Sequence, residues 1–210
     1  MEDQVLLLHG FNKTSRDMAT LSAHLEERGF HCRSLNLPLT RLEFDRSASI
    51  VEQALLEMTA RDNRKIHMVG HSTGGLLIRQ VLKETGVGDL IGRCVQIAAP
   101  NQGSGLAYTA SKVKGYTYYF RTLRSLHTDY IEKLKLPEAQ AVSIGGIAGT
   151  RSHLWLGKLL KGANDGRVEL ASVHYPGLAD FIELPYGHKE IHHQQETAEL
   201  IVRFLRSGHF

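Results

Sequence analysis

The sequence contains little cysteine and no long apolar segment. Of its 210 residues only Cys32 and Cys94 are cysteine, and both fall in predicted strands. This excludes a disulfide framework and predicts two buried, reduced thiols. The apolar run at residues 5–8 is far too short to cross a bilayer. Residues 1–4 lack the basic-then-apolar layout of a signal peptide, so we expect a cytoplasmic protein if Met1 is the native start.

An excess of charge of one sign is also lacking. The formal net charge is +3, which gives no basis for nucleic-acid binding and suits a solvated surface. With 42% apolar and 22% charged residues, the composition is that of an ordinary globular protein. Internal repeats, low-complexity segments and linkers are absent as well. We therefore predict a single domain over residues 1–210.

Short apolar runs alternate with longer amphipathic segments along most of the chain. This alternation predicts an α/β fold in which helices cover a sheet. The predicted strands are 4–8, 31–37, 65–69, 93–98, 141–147 and 180–184, and the predicted helices are 14–28, 47–60, 73–84 and 197–206. Between residues 101 and 137 no strand is evident.

A G-x-S-x-G segment, from Gly70 to Gly74, lies between a predicted strand and a predicted helix. A turn from strand to helix this sharp strains the central residue and projects its side chain, and small residues two positions away relieve the crowding. Ser72 would then stand at a helix N-terminus, where backbone N–H groups favour developing negative charge. The alternative is a serine that only caps the helix. Because the strand-turn-helix context is present, we predict that Ser72 is a nucleophile.

A second loop can supply the donors that an acyl-transfer oxyanion needs. The first predicted strand ends at His9-Gly10, and the backbone N–H of Phe11 follows. Together with the N–H of Thr73, the residue after the nucleophile, it would form an oxyanion hole. The alternative is an ordinary turn that uses Gly10.

Three segments together resemble the α/β-hydrolase superfamily, and most of all its bacterial lipases and esterases. They are the strand with His9-Gly10, the elbow at 70–75 and the Ala-Pro-Asn-Gln-Gly-Ser segment at 99–104. The resemblance covers most of the chain, although only the first few residues of 101–137 match. It implies a minimal α/β-hydrolase fold, a mostly parallel sheet of about six strands with helices on both faces and a helical, lid-like insertion at 101–137. The two further strands with which such hydrolases usually begin are missing.

A serine of this fold needs an acid and a histidine base that follow it in that order. His188 comes shortly after the last predicted strand and before the last helix, where the mechanism requires the base. His192 and His193 are the alternatives, and we expect them in the first turn of that helix, outside the site. A metal site is the other interpretation of this cluster. No carboxylate or cysteine partner is apparent, so we predict neither a metal nor a cofactor.

Asp165 is the predicted acid. It lies in Asn164-Asp165-Gly166, between the last two predicted strands, and this segment resembles the acid loop of bacterial lipases. The same three residues are common in tight turns, so Asp180 and Glu169 remain as alternatives. The acid would hold the imidazole in the required tautomer and stabilise its protonated form.

The insertion at 101–137 is rich in tyrosine and carries six basic against two acidic side chains. This composition suits an acyl pocket whose basic rim contacts an anionic substrate or a membrane surface, and equally suits ordinary solvated helices. The residues predicted to contact the substrate are His9, His71, Tyr116, Tyr119 and Trp155. For Trp155, packing in the core is an equal alternative.

Taken together, these residues predict a serine-dependent hydrolase that cleaves carboxylic esters of small molecules or lipids through an acyl-enzyme. A thioesterase or an acyltransferase would use the same residues. A binding protein that has kept the fold without activity is the third interpretation. The sequence predicts neither the acyl length nor the oligomeric state.

Overall fold

The computed structural model describes residues 3–40, 44–62, 64–84, 86–103, 105, 131, 142–153, 155–160 and 162–210. Most of the predicted insertion at 101–137, including Tyr116 and Tyr119, lies outside the described residues. The side chain of Trp155 lies outside them as well.

A six-stranded sheet with the order β2-β1-β3-β4-β5-β6 forms the centre of the fold, and every pair of neighbours is parallel. This confirms the predicted sheet. The strands are β1 (Asp3–Leu8), β2 (Phe30–Leu35), β3 (Ile66–His71), β4 (Ile91–Ile97), β5 (Ser143–Gly149) and β6 (Asp180–Leu184). Strand β3 extends two residues beyond its predicted end, because pairing with β4 continues through Gly70 and His71.

Helices cover both faces of this sheet, as predicted. They are α1 (Ala19–Glu26), α2 (Phe44–Asp62), α3 (Thr73–Glu84), α4 (Leu170–Val173) and α5 (Gln195–Ser207). Alternate strand residues point to opposite faces, so Leu6 and Leu8 pack with α2 and α3, while Val5 and Leu7 pack with α1 and α5. Burial on both faces explains why β1 reads as a continuous apolar run. None of the described helices combines the length and apolar character that a membrane crossing requires.

Local structure differs from the prediction where elements are short. The helix predicted over 14–28 begins as a 3-10 helix at Ser15–Met18 and becomes α-helical only in α1. Helix α4 and the 3-10 helices Trp155–Leu159 and Ile191–His193 were not predicted. Each has at most five residues, too few to show a helical period of apolar positions.

Both cysteines are free thiols, as predicted. Cys94 is buried in β4, but Cys32 is only partly buried because β2 is an edge strand. Burial raises the pKa of the Cys32 thiol to about 12, so this cysteine stays protonated and unreactive at neutral pH.

The parallel arrangement brings the candidate site residues to one edge of the sheet, since the carboxyl ends of all strands lie there. Phe11 follows β1, Ser72 follows β3, Asp165 lies after β5, and His188 follows β6. Four loops from distant parts of the chain thus meet at one place.

Candidate active site

The turn between β3 and α3 has the strained geometry expected of a nucleophile elbow. Ser72 has a φ of +55°, in the left-handed region that non-glycine residues rarely adopt. Its N–H donates to the carbonyl oxygen of Ile97 at 2.8 Å, which ties the turn to the end of β4. A Cβ atom at Gly74 would lie 2.4 Å from the carbonyl oxygen of Leu8, and one at Gly70 would lie 2.5 Å from backbone atoms of Gly74. Both positions therefore require glycine.

His188 lies next to this serine. Its Nε2 atom is 3.0 Å from Ser72 Oγ, and its Nδ1 atom is 2.7 Å from Asp165 Oδ2. The ring is only 4% exposed. A base that contacts the hydroxyl through one nitrogen and an acid through the other has the arrangement needed to remove the serine proton.

Asp165 is held in place through both of its carboxylate oxygens. Oδ2 faces His188, while Oδ1 accepts hydrogen bonds from the backbone N–H groups of Arg167 at 2.9 Å and Val168 at 2.8 Å. The acid is 1% exposed. Neither alternative acid is bonded to His188 within the described residues, and Asp180 instead accepts from the N–H groups of Phe181 and Phe210.

The backbone of His188 is fixed from two sides. Its N–H donates to the carbonyl oxygen of Asp165 at 2.9 Å, and its own carbonyl oxygen accepts from His71 Nε2 at 2.9 Å. His71 was expected to contact the substrate, and its bond to the loop of His188 was not predicted. Although His71 borders the cleft, it is 3% exposed and connects the elbow to the loop of the base.

The environment of His71 keeps its ring neutral. Burial lowers the pKa of His71 well below its usual value, and positive charge on His192 or His188 would lower it further. A neutral ring with the proton on Nε2 satisfies the His188 carbonyl. Protonation would place an unpaired charge in the core beside two other histidines.

This burial predicts a loss of stability on acidification. The folded-state pKa of His71 lies below the unfolded value of about 6.5, so the unfolded chain takes up a proton that the folded chain does not. The stability that the neutral His71 ring contributes is complete above the unfolded-state pKa of about 6.5. Below that pH the free energy of unfolding decreases by up to about 1.4 kcal/mol per pH unit. We expect His71→Gln to reduce the pH dependence of the free energy of unfolding by this amount. Urea unfolding between pH 7.5 and 5.5 measures it, with the exposed His31→Gln as control. An unchanged slope in His71→Gln would contradict the prediction.

The predicted oxyanion donors lie on both sides of Ser72, the candidate nucleophile. Thr73 is the first residue of α3, where a backbone N–H has no acceptor within its own helix. Phe11 lines the same cleft as Ser72 and His188. Their N–H groups therefore remain the candidates for holding the oxyanion.

The cleft above Ser72 is small and carries basic side chains. Its lining is formed by Gly10, Phe11, Lys13, His71, Ser72, Arg167, His188, Lys189 and His192. Among the described residues that form this lining, none is acidic. Lys13 pairs with Asp17 at 2.7 Å, whereas neither Arg167 nor Lys189 forms an ion pair within the described part of the chain. These two basic side chains favour anionic groups.

The remaining residues predicted to contact substrate lie elsewhere or outside the described part. His9 is fully buried: its Nδ1 donates to the carbonyl oxygen of Gly10 at 2.8 Å, and its Nε2 accepts from the N–H of Leu37 at 2.9 Å. Both ring nitrogens thus hold the loop after β1, and no atom is left for a substrate. The expectation of substrate contact by His9 is therefore not supported.

His192 and His193 do not lie in the first turn of the last helix, contrary to the prediction. They form a separate 3-10 helix, Ile191–His193, ahead of α5. His192 stacks on His71 with a centroid distance of 3.8 Å and lines the cleft, so it belongs to the wall of the site. Its Nε2 faces Asp17 Oδ2 at 3.2 Å, and no hydrogen bond joins it to Ser72 among the described residues.

Several solved structures have the same fold. The mature lipase BlEst2 of Bacillus licheniformis superimposes with a TM-score of 0.86 at 17% identity, covering 97% of this chain and 92% of that one. The metagenomic carboxyl esterase MGS0156 gives 0.76 at 18% identity, covering 98% and 76%. Phospholipase PlaB of Legionella pneumophila gives 0.72 at 18% identity, covering 98% and 60%. No curated protein sequence matches the chain.

The sequence also matches a family profile over most of its length. The match is to the alpha/beta hydrolase family and spans residues 5–186. This segment runs from β1 through β6 and contains both Ser72 and Asp165. The chain therefore belongs to the alpha/beta hydrolase family.

Proposed function

We propose that the protein is a serine hydrolase that cleaves carboxylic esters through an acyl-enzyme. The observation that carries the proposal is the hydrogen-bonded series from Asp165 through His188 to Ser72, with distances of 2.7 Å and 3.0 Å. The names of the similar structures, a lipase, a carboxyl esterase and a phospholipase, support the same class of substrate.

The proposed reaction has two halves. Ser72 Oγ attacks the ester carbonyl while His188 Nε2 takes its proton, and the N–H groups of Phe11 and Thr73 stabilise the oxyanion. Collapse of this intermediate breaks the bond to the alcohol, which leaves with the proton from His188. Water then attacks the acyl-enzyme, giving its proton to His188, and the acid is released as the bond to Ser72 breaks and His188 returns that proton to Ser72 Oγ. Asp165 orients the ring throughout, and the mechanism needs no cofactor.

We further propose one domain, with residues 101–137 as a lid-like insertion near the cleft. The chain leaves β4 at Ile97, whose carbonyl oxygen accepts the N–H of Ser72 at 2.8 Å. An insertion that begins there starts beside the nucleophile. The cytoplasmic location and the contact with a membrane surface likewise remain predictions.

The basic rim narrows the proposed substrate class. Arg167 and Lys189 border the cleft without an acidic partner in the described part of the chain, so a carboxylate or phosphate on the substrate would gain favourable electrostatic energy on binding. We therefore expect small-molecule or lipid esters with a negative charge to be preferred over neutral esters of the same length. A thioester or a non-water acceptor would suit the same site, so a thioesterase or an acyltransferase is the competing proposal.

The test uses the wild-type chain. We expect covalent labelling by a fluorophosphonate probe, and turnover of short p-nitrophenyl esters that is faster for an ester with a free carboxylate than for its neutral counterpart. Denatured protein is the control for non-specific labelling. A panel of thioesters of the same acyl lengths separates ester from thioester hydrolysis. A folded chain that neither labels nor turns over any of these substrates would favour the non-catalytic binding protein.

A further inference from the structure

Three potential metal ligands meet beside the cleft. Asp17 lies in the 3-10 helix before α1, and His192 and His193 lie in the one before α5. Each places one carboxylate oxygen or ring nitrogen within 4.8 Å of those of the other two. We propose that Asp17, His192 and His193 bind one divalent ion of the zinc type, at a site distinct from Ser72. The proposal concerns binding alone and does not rest on the proposed hydrolysis.

The spacing of the donors suits such an ion. Zinc bonds to imidazole nitrogen and carboxylate oxygen are about 2.0–2.2 Å long, so donors around a tetrahedral ion are about 3.3–3.5 Å apart. His192 Nε2 and Asp17 Oδ2 are 3.2 Å apart, close to this separation. To reach the same separation from the other two ligand atoms, the His193 ring would have to move. It is half-buried and can rotate about its side-chain bonds.

One nitrogen atom that could bind a metal ion has no partner, within the described part of the chain, at the Asp17, His192 and His193 cluster. The Nδ1 atom of His193 is buried and has no hydrogen-bond partner among the described residues. Such unsatisfied buried groups are uncommon in proteins, and a bound ion or water accounts for many of them. Asp17 uses Oδ1 for Lys13 Nζ at 2.7 Å, so Oδ2 can bind an ion while that pair remains.

Ligation needs neutral imidazole and ionised carboxylate, so His192 Nε2 would give up the proton that it shares with Asp17 Oδ2 when an ion binds. Lys13 is the opposing charge at the site, and its repulsion leads us to expect a dissociation constant on the order of micromolar rather than nanomolar.

An ion bound to Asp17, His192 and His193 would restrict the motion of the cleft wall. His192 stacks on His71, and His71 holds the backbone carbonyl of His188. Ligation fixes the His192 ring and with it this stack. Because the ion binds the folded chain and not the unfolded one, it should raise the melting temperature by roughly 5–10 °C at a hundredfold excess over its dissociation constant.

The experiment is a titration of the tag-free, chelator-treated full chain with Zn²⁺ by calorimetry and with Co²⁺ by visible absorption. We expect one equivalent to bind. Asp17→Asn and His193→Gln should each weaken binding at least about tenfold, because each removes one of three ligands. His209→Gln is the matched control, since the His209–Asp180 pair, 3.9 Å apart, has no third potential ligand beside it in the part of the chain that the structure describes.

The proposal is overturned if the wild type binds no ion at micromolar concentration, or if both ligand variants bind as tightly as the wild type. Melting curves without metal establish that each variant is folded. X-ray absorption of the wild-type complex gives the ligand set without any variant: two imidazoles and oxygen support the assignment, and a sulfur ligand contradicts it. Repeating the titration with Ser72→Ala separates binding at this site from any effect at the nucleophile.

Discussion

Replacing Ser72 with alanine should lower kcat by roughly 10⁵–10⁶-fold and abolish fluorophosphonate labelling. Alanine removes the Oγ atom that attacks the carbonyl and is 3.0 Å from His188 Nε2. It keeps a Cβ atom, so the strained backbone with its φ of +55° is unchanged and the chain should fold as before. The residual rate would come from the oxyanion donors and substrate binding alone.

Labelling and ester turnover of Ser72→Ala are compared with those of Ser22→Ala. Ser22 lies on α1, donates to Glu26 Oε1 at 3.1 Å and is not among the described residues that line the cleft, so its loss should leave both readouts unchanged. If Ser72→Ala is folded and still labels like the wild type, another residue is the nucleophile and the proposed mechanism is wrong.

His188→Ala should lower kcat by about 10⁴-fold or more, because the serine loses its base and the leaving alcohol its acid. The change also leaves the Asp165 carboxylate, which is 1% exposed, without its partner at 2.7 Å. An uncompensated buried charge is destabilising. We therefore expect a lower melting temperature in addition to the loss of activity.

A second variant separates the two effects. His188→Asn retains a polar side chain that can donate to Asp165 but cannot shuttle a proton, so it should recover stability without recovering kcat. His31→Ala changes an exposed histidine outside the described cleft lining, so it is the control and should stay within a few-fold of the wild-type rate. Near-normal activity of His188→Ala would transfer the role of base to His192 or His193.

The residues of the candidate series could be predicted because each lies in a local pattern with a physical meaning. The elbow is contiguous in sequence, and its steric requirements apply to Gly70, Ser72 and Gly74 whatever surrounds them. Asp165 and His188 were predicted from chain order and from their place relative to the predicted strands, and Asp165 also from the resemblance of its segment to the acid loop of bacterial lipases. The parallel sheet brings both residues to one edge. Strand β1 was predictable because burial on both faces makes its residues 5–8 a continuous apolar run.

The sequence by itself therefore determined the order of strands and helices, the elbow and the candidates for nucleophile, base and acid. Only the tertiary structure decided the contact partners of the other histidines. His9 supports the loop after β1, His71 donates to the carbonyl oxygen of His188, and His192 lines the cleft. It also decided that Asp17 lies 3.2 Å from His192 although 175 positions separate them. The reason is that periodicity and motifs report contacts between near neighbours in the chain, whereas these bonds join loops whose spacing depends on how the whole sheet packs.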